Sequence, residues 1–225
     1  MRRWLKENRA FLLFVLGLGL FRTAVADWNP IPSGSMRPTL QEGDVVLVDR
    51  LAYDLKLPLT NQVLWPLGEP QRGDVVTFHS PADGTRLIKR LVAVPGDVVA
   101  LRDRQLWLNG QPAELLAGHL VMEPLAPGWQ VPAWRATEQG VAGAPGRQVQ
   151  HLLMADGARP AFGPVTVPPG HYFVLGVHRD NSADSRVFGM VPRHLLIGRA
   201  HHLLVSVDLL QHWQPRWRRF GQAIE

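Results

Sequence analysis

The 225-residue sequence contains no cysteine, and this absence removes several kinds of chemistry at once. Without thiols the chain can have no disulfide framework, no zinc site built on thiolates and no cysteine nucleophile. The absence is compatible with any cellular compartment. A nucleophile, if the chain carries one, must be another type of residue.

Lysine is scarce in a chain that is otherwise basic. Only Lys6, Lys56 and Lys89 occur among 24 basic residues, and the formal net charge is +5. A net positive charge of this size is compatible with binding to nucleic acid or to an anionic membrane surface, but it requires neither partner. Arginines and aromatic residues interleave only in the tail, residues 212–222. We therefore predict no nucleic-acid partner.

The N-terminus combines basic residues with an apolar run from Ala10 to Phe21. One interpretation is a short transmembrane helix. The other is a secretory signal peptide that ends in the small-x-small sequence Ala24-Val25-Ala26. Both interpretations leave residues 1–9 in the cytoplasm and place everything after Asp27 outside it.

Most of the remaining chain follows the two-residue period of β-strands. Asn109-Gly110 and Pro95-Gly96-Asp97 mark tight turns between these runs. The sequence predicts a mostly β domain with no amphipathic helix between the strands. The predicted strands are Asp44–Arg50, Asp74–Ser80, Thr85–Val94, Asp97–Arg102, a strand at QLWLNGQ, His171–Gly176 and Leu196–Val207.

Residues 111–168 are richer in Pro, Gly and Ala, and only RQVQHLLMA is typical of a strand. This composition predicts an inserted subdomain with long loops. The domain organisation we expect is a cytoplasmic N-terminus over 1–9, a transmembrane anchor over 10–27 and an extracytoplasmic β domain over 28–225.

The stretch IPSGSMRPTL, residues 31–40, admits two interpretations. Ser, Gly and Pro are common in linkers, so it can simply lead away from the anchor. Alternatively Ser33 or Ser35 is a nucleophile, which requires a nearby base to remove its proton. None of the nine histidines stands in a pattern that singles it out as that base, and none is predicted to bind a metal.

Lys89 is the other candidate base. Alternation in TRLIKRLVAV places it between Leu87 and Leu91 on one face of a strand. Burial there disfavours the charged ammonium and lowers the pKa of lysine, and a neutral amine can act as a general base. A lysine at a strand edge can equally extend its amine into solvent.

Three segments in order resemble the bacterial type I signal peptidases, which are membrane-anchored Ser–Lys serine proteases. They are IPSGSMRPTL, RGDVVTFHSP with LIKRLVAVPGD, and RDNSADSRVFGMVP, and GDVVLVDR resembles a further conserved box of the family. The resemblance implies a β-barrel or sheet catalytic domain, one N-terminal transmembrane helix and no cofactor.

The same resemblance implies a role for individual residues. Ser35 matches the nucleophile, Lys89 the general base, and Ser33 a donor that joins the Ser35 backbone N–H in an oxyanion hole. Ser182 matches the hydroxyl that orients the lysine amine. Asp184 and Arg186 match a supporting pair, and the walls of the pockets for small substrate side chains match Ile31, Pro32 and Ile88.

The expected function is removal of signal peptides from exported preproteins after small-x-small sites, at the bacterial inner membrane. The catalytic domain is expected on the periplasmic side, with the lipid bilayer as a second partner. The resemblance also favours an anchor that is retained. A specialised conjugation- or pilin-type peptidase with the same dyad is the alternative.

One departure from the family pattern falls in the third segment. The family has Gly-Asp-Asn-Arg where this chain has Gly176-Val177-His178-Arg179. We expect the loss of the acidic residue to alter local support rather than the Ser–Lys pair.

Overall fold

The computed structural model describes residues 2–126, 128–140, 146–153, 161–209 and 213–224. The helices are α1 (Arg2–Glu7), α2 (Arg9–Ala24) and α3 (Ser185–Phe188). The strands are β1 (Ala26–Pro30), β2 (Asp44–Asp49), β3 (Asp54–Lys56), β4 (Val63–Pro66), β5 (Val75–His79), β6 (Arg86–Ala93), β7 (Val98–Arg102), β8 (Gln105–Leu108), β9 (Gln111–Pro112), β10 (Leu115–Ala126), β11 (Trp129–Glu138), β12 (Arg147–Leu152), β13 (Phe162–Thr166), β14 (His171–Leu175), β15 (Val191–Pro192) and β16 (Leu196–Ser206).

The largest sheet has seven strands in the order β1-β2-β16-β5-β6-β14-β15, and its neighbours are antiparallel. Alternating burial in β2, where Val46 and Val48 are fully buried, shows why the two-residue period predicted these strands. The predicted mostly β class is confirmed. Among the described strands the edges β1 and β15 do not pair with each other, so the sheet is open and the barrel alternative is wrong.

The N-terminal helix differs from the predicted anchor over residues 10–27. Helix α2 has 16 residues, about 24 Å of helix at 1.5 Å per residue. In the part of the chain that the structure describes, no helix has the length and apolar character needed to cross a membrane. The helix ends at Ala24 because the following backbone joins the sheet, where Ala26 pairs with Asp49 and Asp27 with Val48.

Region 111–168 is more regular than predicted. Strands β10 and β11 form a long hairpin, and β12 completes a three-stranded sheet, which we call the accessory sheet. Strand β13 instead pairs with β7 in a four-stranded sheet with β8 and β9. The strand predicted at RQVQHLLMA is found as β12, and the residues at its end, 154–155, lie outside the described residues.

The loops predicted for residues 115–138 are therefore wrong. Most side chains of β10 before Glu123 are exposed, so β10 lacks the alternation of buried and exposed residues that marks other strands. Pro124 and Pro132 also lie within the two strands of the hairpin, and proline in a sequence argues against a strand. The boundaries proposed for an inserted subdomain stay a prediction.

Candidate active site

Ser35 lies on a short 3-10 turn, Gly34–Met36, that follows β1. Met36 and Leu40 are fully buried and fix this segment against Val46 and Val48 of the sheet. The carbonyl oxygen of Ser35 accepts a hydrogen bond of 3.1 Å from the backbone N–H of His178. Packing of the following residues and the hydrogen bond from His178 therefore fix the backbone of Ser35, the nucleophile predicted from the sequence.

Lys89 lies on β6 and is 3% exposed. Its Nζ donates to Ser35 Oγ at 2.8 Å and to the carbonyl oxygen of Ile88 at 3.0 Å. Burial lowers the pKa of Lys89 to about 8, although the negative charge of Asp184 acts in the opposite direction. Roughly a tenth of the amine is thus neutral at pH 7 and about half at pH 8, and the neutral amine can accept the serine proton.

Ser33 lies close to the same pair. Its Oγ is 3.4 Å from Ser35 Oγ, and its backbone is extended with φ −138°. Because both hydroxyls meet in one cleft, Ser33 can donate a hydrogen bond to an oxygen that forms beside Ser35.

Ser182 is brought to the site, but it does not contact Lys89 through a hydrogen bond. It is 3% exposed, and its Oγ approaches the Asp184 carboxylate without forming a hydrogen bond of good geometry to any described residue. A Cβ at Gly176 would lie 2.2 Å from Ser182 Oγ and 2.8 Å from the carbonyl oxygen of Ser35. Only glycine at position 176 lets these two segments approach so closely.

Asp184 organises the segment that carries Ser182. Its carboxylate accepts hydrogen bonds from Arg186 Nε and Nη2, each at 2.7 Å, and from the Gly176 backbone N–H at 3.0 Å. Burial alone would raise the pKa of Asp184, but the Arg186 guanidinium and the Gly176 N–H outweigh it and hold that pKa below its usual value. The sequence-predicted pair is thus an ion pair beside the Ser–Lys pair.

The departure at Val177 also has a structural reason. Val177 is 2% exposed and belongs to the apolar cluster that contains Met36 and Leu40. An apolar side chain here supports the turn that carries Ser35, whereas an unpaired carboxylate in the same place would be costly.

A cleft of about 260 Å³ opens beside Ser35 and Lys89. The residues predicted as pocket walls, Ile31, Pro32 and Ile88, all line it. Along one wall, Arg86–Lys89 of β6 pair with β5, but on the other side β14 begins to pair with β6 only at Arg90. Over Arg86–Lys89, the edge of β6 that faces the cleft therefore has no strand partner in the described part of the chain, although the Ile88 carbonyl oxygen already accepts from Lys89 Nζ.

Two contacts that join the accessory sheet to this site could not be predicted from the sequence. Arg37, two residues after Ser35, donates to Glu123 of β10 at 3.0 Å and to Glu42 at 2.6 Å. Arg37 and Glu123 are separated by 86 residues, so no local spacing could have paired them.

The second contact joins the accessory sheet to the segment before Ser182. Arg179 Nη2 donates to Glu138 Oε2 at 2.7 Å, and Arg147 Nε donates to the same oxygen at 3.0 Å. Burial would raise the pKa of Glu138, but the two guanidinium groups lower it to about 2. A buried carboxylate of β11 thus anchors the residue next to His178.

The family comparison agrees with the resemblance seen in the sequence. The family model described as signal peptidase, peptidase S26, matches residues 1–205. The chain belongs to this family. It is a bacterial type I signal peptidase in class, and therefore a serine endopeptidase.

Named relatives in the family cover most of the chain. Signal peptidase I of Pseudomonas aeruginosa is 38% identical over 87% of this chain and 69% of its own length. Signal peptidase I of Pseudomonas fluorescens is 39% identical over the same shares. Probable signal peptidase I-2 of Synechocystis is 31% identical over 88% of this chain and 71% of its own length. Among solved structures, a signal peptidase I from Enterococcus faecalis matches with 29% identity and a TM-score of 0.35, covering 58% of this chain and 96% of that one.

Proposed function

We propose that this family member removes N-terminal signal peptides from exported preproteins after small-x-small sites, with Ser35 as nucleophile and Lys89 as general base. The observation that carries the proposal is the buried contact of 2.8 Å between Lys89 Nζ and Ser35 Oγ. A serine hydroxyl needs an adjacent base, and a buried amine with a pKa of about 8 can serve as one.

The reaction proceeds through an acyl-enzyme. Ser35 Oγ attacks the scissile carbonyl while its proton passes to the neutral amine of Lys89. The oxyanion is stabilised by the Ser35 backbone N–H and the Ser33 hydroxyl, and a donor of this kind is worth about 2.7–4 kcal/mol. The Lys89 ammonium then protonates the departing amine, which breaks the peptide bond. The neutral amine next takes a proton from water, whose oxygen attacks the acyl carbonyl. As the bond between that carbonyl and Ser35 Oγ breaks, the Lys89 ammonium returns the proton to Ser35 and the signal peptide leaves with a free carboxylate.

The free edge of β6 supports binding of an extended substrate. Backbone groups of Arg86–Lys89 can pair with a substrate strand, as in other cases where a peptide adds to a sheet edge. We propose that Ile31, Pro32 and Ile88 limit the side chains beside the scissile bond to small ones, because a cleft of about 260 Å³ must hold all of them. Ser182, Asp184 and Arg186 position the site from the opposite side.

The second proposed partner is the lipid bilayer of the bacterial inner membrane, with the catalytic domain on the extracytoplasmic side. The support is helix α2, which has no buried residue and leaves Phe11, Leu13 and Phe14 each at least 65% exposed. Apolar side chains of this kind partition into the membrane interface.

The test is cleavage in detergent of a preprotein with an Ala-x-Ala site. Wild type should cleave it, whereas Ser35→Ala and Lys89→Ala should each lower kcat by at least about 1,000-fold, as expected for groups that act as a unit. Lys6→Ala is the matched control, because Lys6 is exposed on α1 and should leave the rate unchanged. Cleavage at the wild-type rate by both site variants would disprove the mechanism.

A further inference from the structure

Among the described residues that line the cleft, Arg86 and Lys89 carry the charged side chains. Lys89 is buried at the nucleophile, but the side chain of Arg86 at the start of β6 is 41% exposed. The rest of this wall is mainly apolar or neutral. The proposed mechanism therefore uses the amine of Lys89 but gives no role to the charge of Arg86.

The guanidinium of Arg86 is fixed at one of its nitrogens. Nη1 donates to Asp27 Oδ2 at 2.9 Å and to Asn29 Oδ1 at 2.7 Å. Its Nε and Nη2 make no hydrogen bond within the described residues, so they stay available to a ligand. Because the group is already oriented, it loses less side-chain entropy on binding than a free arginine would.

The surroundings of Arg86 carry more positive than negative charge. Asp27 is 3% exposed and forms ion pairs with three guanidinium groups: Arg22 at 2.8 Å, Arg86 at 2.9 Å and Arg50 at 3.9 Å. One carboxylate cannot neutralise three guanidinium groups, so this end of the cleft attracts an anion. A planar guanidinium with two free donors matches a carboxylate in particular.

The position of Arg86 along β6 indicates which part of a substrate would reach it. Arg86 precedes Lys89 by three residues, which is about 10 Å along a strand. On the proposed function, the pocket walls that include Ile88 hold the residues before the scissile bond, and Arg86 lies beyond them. We propose that Arg86 is a specificity residue that binds an acidic side chain of the substrate, about four or five residues before the scissile bond.

The experiment compares soluble peptides that share an Ala-x-Ala site and carry Glu, Gln or Lys at one position at a time: the second, fourth or fifth before the cut, or one of the five after it. KM and kcat are measured separately at low salt in detergent, without lipid. The enzymes are wild type, Arg86→Gln, Arg86→Lys and, as a control, Arg102→Gln. Arg86→Gln removes the charge and shortens the side chain, Arg86→Lys keeps the charge without the planar donors, and Arg102 is exposed on β7 outside the cleft.

We expect Glu at one position before the cut to lower KM about fivefold relative to Gln, with kcat unchanged, because the contact is equally present in the ground and transition states. Lys at that position should raise KM. The preference should vanish in Arg86→Gln, survive in part in Arg86→Lys and shrink as salt is added. Arg102→Gln should behave as wild type.

Equal KM values for Glu and Gln peptides at every position would overturn the inference, as would a preference that persists in Arg86→Gln. A preference on the other side of the cut would overturn the assigned position. Cleavage of the neutral Gln peptides separates the two proposals. If wild type cleaves them without an acidic preference, the proposed function stands and the role of Arg86 fails. If wild type cleaves none of the peptides, both fail.

Discussion

At the scale of single residues, the Lys89 amine lies in a buried position that destabilises its charged form. The proposed mechanism uses the neutral form as the general base. The side chain is 3% exposed, and burial lowers its pKa to about 8. Asp184 partly offsets this effect by favouring the ammonium. The residue thus combines a position fixed by hydrogen bonds with a protonation state that changes in an accessible pH range.

The pH dependence of kcat/KM follows from that pKa. Because the base must be neutral, kcat/KM for a neutral peptide should rise about tenfold per pH unit below pH 8 and level off above it. The measurement is a profile between pH 6 and pH 10 on a peptide without titratable groups. Asp184→Asn should move the rising limb to lower pH, because a charge that raises the pKa of Lys89 is removed. A flat profile would contradict a titrating lysine base.

At the scale of elements, the accessory sheet is joined to the catalytic segments by buried ion pairs. Glu123 of β10 binds Arg37, two residues after the proposed nucleophile Ser35, and Glu138 of β11 binds Arg179 beside His178. Since His178 in turn donates to the Ser35 carbonyl, both contacts act on the backbone around Ser35. The accessory sheet therefore supports the position of Ser35, the proposed nucleophile.

Glu123→Gln tests this support. The change leaves the buried Arg37 with one charged partner fewer, so we expect a loss of about 2 kcal/mol in the free energy of unfolding. We also expect kcat to fall about tenfold, because Ser35 is held less firmly. The measurements are urea unfolding and single-turnover cleavage. Glu114→Gln is the control, since Glu114 is exposed, and equal effects of the two changes would contradict the supporting role.

Sequence patterns predicted the strands that their own residues specify. They missed the strands that are held in place by pairing with another part of the chain. Strand β2 is a short apolar run, Val45–Val48, between Asp44 and Asp49, so it is visible in the sequence. Strand β10 is exposed on both faces over most of its length and is held by pairing with β11, which no period reveals. The same limit explains why Ser35 and Lys89 could be proposed from family motifs whereas the partner of Arg37 could not.

At the scale of the whole molecule, we expect acidic conditions to lower the free energy of unfolding by protonating buried carboxylates. Glu138 is 1% exposed, and its pKa is lowered from 4.5 to about 2 after the guanidinium groups of Arg179 and Arg147 outweigh the effect of burial. A carboxyl with a lower pKa in the folded state stabilises the fold above its unfolded pKa and loses that contribution as pH falls.

We expect the free energy of unfolding to fall between about pH 4.5 and pH 2, with roughly 3 kcal/mol of the loss coming from Glu138. Urea midpoints measured from pH 7 to pH 2 check this expectation. Glu138→Gln should be less stable than wild type at pH 7 and should show a shallower decline. Parallel curves for the two proteins would show that Glu138 does not carry the effect.

The free edge of β6 has a consequence for how the protein chooses among many substrates. Main-chain groups over Arg86–Lys89 are the same for every peptide that lies beside them, so this contact recognises conformation in place of residue type. A helical segment keeps its N–H and C=O groups bonded internally and cannot offer them to an edge. Under the proposed function, a bound signal peptide must therefore unwind around its cleavage site before Ser35 can reach it. The rate of cleavage then also depends on how readily those few residues leave a helix.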